Sequence, residues 1–192
     1  MDQNVNNADN STDNQLNVNQ NTGIIHLGNK TRLSKRFEKL NTEIASDIRY
    51  EGVMEALEHY LTKLDGVDMP TKLADGGFTQ EEIIKAQKRK EKYAKKAEKN
   101  RFFESAQLID SELFAKIRMD FETYVEPLIN AQSGKDAVRV AVRERVVQPI
   151  LDMVNTDGEH DEVLRYDTDD VLGMIYFLTG KCHLNWKNYD NI

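Results

Sequence analysis

The chain has 192 residues, of which 39% are hydrophobic and 31% charged, with a formal net charge of -7. That length and apolar content support one folded core rather than two, and the acidic balance excludes wholesale coating of nucleic acid while leaving room for a local basic cluster. The single cysteine excludes an internal disulfide, and beside four scattered histidines it offers no zinc-type spacing.

Residues 1–29 are rich in Asn, Gln, Asp, Ser and Thr, which offer too little apolar area to offset the entropy of ordering a backbone. Disorder is one reading. The other is a weakly β segment that forms when copies associate, because Leu16 and Val18 alternate with Asn before Ile24, Ile25 and Leu27. The opening "MDQNVNNADN" has neither a basic nor an apolar leader region, and no uncharged run approaches the roughly 20 residues a bilayer needs. No membrane contact and a cytoplasmic location are expected.

From residue 30 to 192 the pattern is helical. Leu33, Phe37, Leu40 and Ile44, then Ile48, Val53, Leu57 and Leu61, recur at helical steps, which predicts two helices or one that breaks near Ser46 to Glu51. "DGVDMPTKLADGGF" holds Pro70 and Gly76-Gly77 and reads as a loop. Thr79 and Glu82 form a capping box that starts a long helix, weakly interrupted at Asn100. Beyond Phe102 its apolar residues cover more than one face, which predicts a central position in the core. Ser133 is a candidate cap, and Val138 to Val154, long and without glycine, reads as helix rather than strand. Asp167 or Thr168 caps a last helix, and Gly180 suits a left-handed stop.

Pro127 and Pro149 interrupt helical pattern and free the carbonyls of Thr123 and Arg145, so each is expected to kink its helix. Such bends could shape a compact bundle or act as hinges. The fold expected is all-α: a compact bundle of long, proline-kinked helices behind a disordered or weakly β tail.

Among candidate sites, Cys182 and His183 are adjacent, and neighbours on an extended chain point to opposite sides, so they make a poor dyad. The side bearing Cys182 and Leu184 is expected to pack down, with His183 and Asn185 facing away. "QSGKDA" lacks the upstream glycine and following hydroxyl of a phosphate loop. "DGEHDE" around His160 reads as an acidic loop, and an enzyme using His183 with Asp169-Asp170 is the least favoured reading. No catalytic residue, metal or cofactor is expected. The run from Lys85 to Arg101 is strongly cationic, and Lys85, Lys88, Arg89, Lys92, Lys95, Lys96 and Lys99 form a candidate basic docking surface. It could be a solvated face, a dock for an acidic partner, or a phosphate contact with salt-dependent binding.

The segments "KNRFFESAQLI", "YVEPLI", "VVQPIL" and above all "GMIYFLTGKCHLNW" make the chain from about Glu51 to Trp186 resemble the C-terminal domain of effector proteins in ABC-three-component systems, the Lamassu-like anti-phage defences. The resemblance implies a helical domain that joins a variable effector, often a nuclease, to an SMC- or Rad50-like ABC ATPase and a small middle component. An assembly role without catalysis follows, with Gly173, Tyr176, Phe177, Gly180, His183 and Trp186 as a candidate clasp or interface. Where an effector would sit there is only the Asn-rich tail and "RLSKRFEKLNTEI", so either the effector is encoded separately or the tail acts through homo-oligomerisation. Nucleic-acid binding by the basic helix, with weak DNA contact, is the alternative.

Overall fold

The computed structural model describes residues 30–187, and every regular element among them is helical. The Asn-rich tail lies outside the described residues. Helix α1 (Arg32–Ala45) begins under Thr31, whose hydroxyl accepts from Ser34 N at 2.9 Å, and buries Leu33, Phe37 and Leu40 on one face. Asp47 then takes a positive φ of 50°, and the chain resumes as α2 (Glu55–Leu61), the two-helix alternative.

The segment around Pro70 is a correction: it holds α3 (Met69–Asp75) rather than a loop. Asp68 accepts from Thr71 N at 2.9 Å, and Pro70 occupies the first turn, where its missing N–H has no partner to lose. Met69 and Leu73, four residues apart, are buried. Proline here begins a helix instead of breaking one. The predicted capping box forms at α4 (Gln80–Asn100), where Thr79 N donates to Glu82 Oε2 at 2.8 Å. Asn100 is where α4 ends, and α5 (Glu104–Asp120) follows after a short turn.

Both later prolines are met by the same device. A π-helical turn spans Phe121–Val125 and another Val142–Val147, and each runs into a short α segment with proline in its first turn: α6 (Glu126–Asn130) and α8 (Gln148–Asp157). Glu126 N donates to Phe121 O, and Gln148 N to Arg143 O, each five residues back. Because proline cannot donate to the carbonyl four residues back, the wider turn lets the preceding amide bond further down the chain. Between them lies α7 (Lys135–Ala141). Its cap position is Gly134 at φ 98°, with no side-chain cap, so Ser133 does not play the predicted role.

Helix α9 (Thr168–Gly180) opens on a second capping box, formed by Asp167 and Asp170. Packing centres on α5, which touches α1, α2, α4, α8 and α9, while the broadest helix pair is α4 on α9. Ile109, Leu113, Phe114 and Ile117 of α5 are fully buried, each stabilising by about 1.5–3 kcal/mol. The multi-faced apolar pattern after Phe102 thus has the central place it predicted.

Candidate docking site

The basic run lies on α4, and four of its seven candidate residues are paired within the chain. Lys85 meets Glu81 at 2.5 Å, Arg89 meets Asp169 at 2.9 Å, Lys92 meets Asp167 at 2.6 Å, and Lys96 pairs with Asp170. Three of those carboxylates sit at the start of α9, so the cations and the positive end of the helix both stabilise them. Asp170 is fully buried, and its other oxygen lies 3.5 Å from Lys92 Nζ. Lys88, Lys95 and Lys99 are exposed and make no ion pair among the described residues. They are what remains of the basic surface once α9 has docked.

The α4–α9 seam is close because Gly173 has no side chain. A Cβ there would fall onto the Arg89 carbonyl oxygen and lie 2.8 Å from Tyr93 Cβ. Beside the seam, Tyr93, Phe114 and Phe177 pack with centroids 5.6–5.8 Å apart, Phe114 and Phe177 being parallel to within 6°. Under this cluster Asp110 is buried and accepts from the Tyr166 hydroxyl. Burial pushes its carboxyl up to about 6, against the pull of the Tyr166 and Tyr93 hydroxyls and the Lys96 charge.

At the other end of α9 the clasp is built differently from its expected form. Gly180 keeps helical geometry, and the left-handed residue is Cys182 at φ 71°. His183 N donates to Leu178 O at 2.9 Å and Cys182 N to Thr179 O at 3.1 Å, the paired bonds of a Schellman motif. The chain therefore turns instead of extending, and His183 and Leu184 are both buried, which corrects the expected alternation. His183 packs against the rings of His59 and Tyr60 at 5.2 and 5.4 Å. Burial holds its pKa below the usual histidine value, with His59 and Arg118 adding to the effect. Trp186 is buried edge-on to Phe78 and Phe121, and its indole donates to Thr179 Oγ1 at 2.9 Å. Gly76 admits it, since a Cβ there would lie 2.7 Å from the Trp186 carbonyl oxygen.

The catalytic candidates are not brought together. Asp169 and Asp170 lie in the first turn of α9 and His183 beyond its C-terminal end, separated by about 15 Å of helix. Asp161, in the acidic loop, accepts from the amides of Val163, Leu164 and Arg165 at 2.9, 3.0 and 2.7 Å and so shapes the turn. Among the described residues no group of three His, Cys, Asp or Glu converges as a metal site would, and no helix is long and apolar enough to cross a membrane.

Two surface grooves flank α9. One, of about 540 Å³, has an apolar floor that includes Val142, Leu151, Leu172 and Tyr176 and a rim of Lys85, Arg89, Arg139 and Arg143. The other, of about 720 Å³, runs between Gly52–Leu61 and the end of α4, with Tyr93, Phe177 and Asp110 at its base. Of the six clasp residues, Gly173, His183 and Trp186 are buried inside the fold, Gly180 abuts Lys90, and half-buried Tyr176 and Phe177 face one groove each. Periodicity could not have separated these two neighbours. Their difference arises from what packs on either side of α9.

No curated protein and no solved structure matches the chain. The family model for C-terminal domain 9 of the ABC-three component (ABC-3C) systems matches residues 68–186. That span opens at Asp68, the cap of α3, and closes at Trp186, the anchor against Thr179, leaving α1 and α2 outside it. By this match the chain belongs to the family of C-terminal domain 9 of the ABC-three component systems.

Proposed function

We propose that the chain is a non-enzymatic helical adaptor of a bacterial anti-phage defence system of the Lamassu-like kind. It links an effector to an SMC- or Rad50-like ABC ATPase and a middle component, in the cytoplasm and as a self-associating unit. The observation that carries this reading is the family span, residues 68–186, whose boundaries coincide with the α3 cap and the Trp186 anchor. A domain of these systems has partner components to meet. Tyr176, Phe177 and the lysines left unpaired by α9 are the side chains offered for that contact. Co-expression of the full chain with its neighbouring genes is expected to recover an ABC ATPase with it, while the chain alone cleaves no DNA. Recovery of the chain without any partner, or nuclease activity of the purified protein, would overturn the proposal.

Nucleic-acid binding by α4 is the second reading, and the exposed stripe of Lys88, Lys95 and Lys99 is the observation in its favour. Three phosphate contacts limit the slope of log affinity against log salt to about -2.7 on duplex DNA. A measured slope of that size, lost on charge reversal of the three lysines, supports DNA contact. A slope near zero removes it.

A further inference from the structure

We propose that residues 48–64 are a displaceable strap, and that the face of α5 and the end of α9 beneath them form a docking site for a helical segment of a partner protein. Such a segment presents apolar side chains at helical spacing and a carboxylate toward His183. The existence of a partner rests on the adaptor reading, whereas the strap and the face beneath it do not.

The strap lies outside the family span of residues 68–186 and is held almost entirely by its own backbone. Tyr50 N donates to Phe102 O at 2.7 Å, and Leu64 N to Lys181 O at 3.4 Å. Gln107 of α5 donates to Gly52 O at 2.8 Å and accepts from Met54 N at 2.7 Å. The Ser111 hydroxyl donates to Ala56 O at 2.9 Å, and the Lys181 ammonium to Leu61 O. Backbone groups are common to every polypeptide, so the same donors and acceptors can hold another segment. Of the strap's side chains only Leu57 is buried.

The fit beneath the strap is incomplete. His183 is buried against His59 and Tyr60 with neither ring nitrogen hydrogen-bonded among the described residues, and the His59 carbonyl comes near without completing a bond. A buried donor without an acceptor is destabilising, and a carboxylate in its place would relieve that. Lys181, released from Leu61 O when the strap leaves, adds a cation beside it. The groove of about 720 Å³ stays open between the strap and α4, along Phe102 and Phe177. Ile48, Tyr50, Val53 and Leu64 are exposed, and Glu51, Glu55 and Glu58 make no ion pair among the described residues. A segment with so few buried apolar contacts opens more readily than the packed helices around it.

Two variants of the full chain test the inference. Met54→Pro removes the amide that Gln107 accepts from, at a φ of -65° that proline adopts without strain. Amide hydrogen exchange over residues 50–64 is expected to quicken about tenfold in this variant, with α5 and α9 unchanged. Leu57→Asp removes the buried anchor. This variant is expected to keep its helical circular dichroism and to bind a fluorescein-labelled peptide of residues 48–64 about tenfold more tightly than the unmodified chain, whose site is filled. Adding Gln107→Ala should weaken that binding about threefold, and His59→Glu in the peptide should strengthen it about threefold. Loss of the whole fold in either variant would make the strap integral to the domain and overturn the proposal, as would peptide binding that is absent or indifferent to Gln107. A peptide with His59→Glu that binds no better than the parent sequence would overturn the carboxylate assignment. Neither measurement involves a partner, so failure to recover an ATPase on co-expression counts against the adaptor reading alone.

Discussion

Tyr166 donates its hydroxyl hydrogen to Asp110 across the junction of α5 with the segment leading into α9, and both groups are buried. The carboxyl is nonetheless expensive to ionise there, which is why its pKa stands at about 6 instead of 3.8. A raised folded-state value means the stabilisation is complete below pH 3.8 and is lost as pH rises through about 6. Asp110→Asn keeps an acceptor for Tyr166 and removes the charge. In denaturant unfolding this variant should exceed the parent at pH 7.5 by on the order of 2–3 kcal/mol, and the two should converge near pH 4. Equal stability at pH 7.5 would show that Asp110 is solvated well enough to ionise freely.

Gly173 and Gly180 lie on the same helix and predict opposite results. Gly173→Ala places a methyl on the Arg89 carbonyl and 2.8 Å from Tyr93 Cβ, neither of which can move without opening the α4–α9 seam, so a loss of roughly 1–3 kcal/mol is expected. At Gly180 the nearest atom is the mobile end of Lys90 at 3.3 Å, and alanine is the better helix former. Gly180→Ala should be neutral or stabilising by up to about 1 kcal/mol. Thermal unfolding of the two variants side by side decides it.

Cys182 carries the left-handed turn that ends α9. A side chain there costs about 1–2 kcal/mol relative to glycine, part of which glycine returns through its freer unfolded state. Cys182→Gly should therefore stabilise the fold by about 0.5–1 kcal/mol, and Cys182→Ser should change it little. A loss of stability with glycine would mean that the thiol makes a contact worth more than the strain.

Lysines on α4 divide by what they meet. Lys96→Met leaves the buried Asp170 carboxylate with Lys92 at 3.5 Å as its remaining cation, and removing one partner of a buried pair costs roughly 3 kcal/mol. The same change at Lys88, Lys95 or Lys99 should stay within about 0.5 kcal/mol. Urea midpoints for the four variants test the division, and equal midpoints would contradict the pairing.

Local signals are legible in the sequence. Thr79 with Glu82 announced its helix because a capping box is closed by residues three apart and needs nothing distant, and of the two caps offered for α9, Asp167 and Thr168, it is Asp167 that forms one. Pro70 misled for the same local reason turned around: proline in the first turn and proline in a loop look alike until Asp68 is seen to cap Thr71. Cys182 was hidden behind Gly180, since composition favours glycine for a left-handed residue and only the bonds of His183 and Cys182 back into α9 reveal the true position.

The sequence by itself determined the helical class, the capping box that opens α4 and the central place of α5, because periodicity and a capping box depend on near neighbours. It also carried the wording that marks the family. Tertiary structure alone decided that Arg89, Lys92 and Lys96 of the basic run would be neutralised by the start of α9, that His183 would be buried, and that Tyr176 and Phe177 would open on different grooves. Those outcomes depend on which residues far apart in the chain come to share a surface, and no local pattern encodes that pairing.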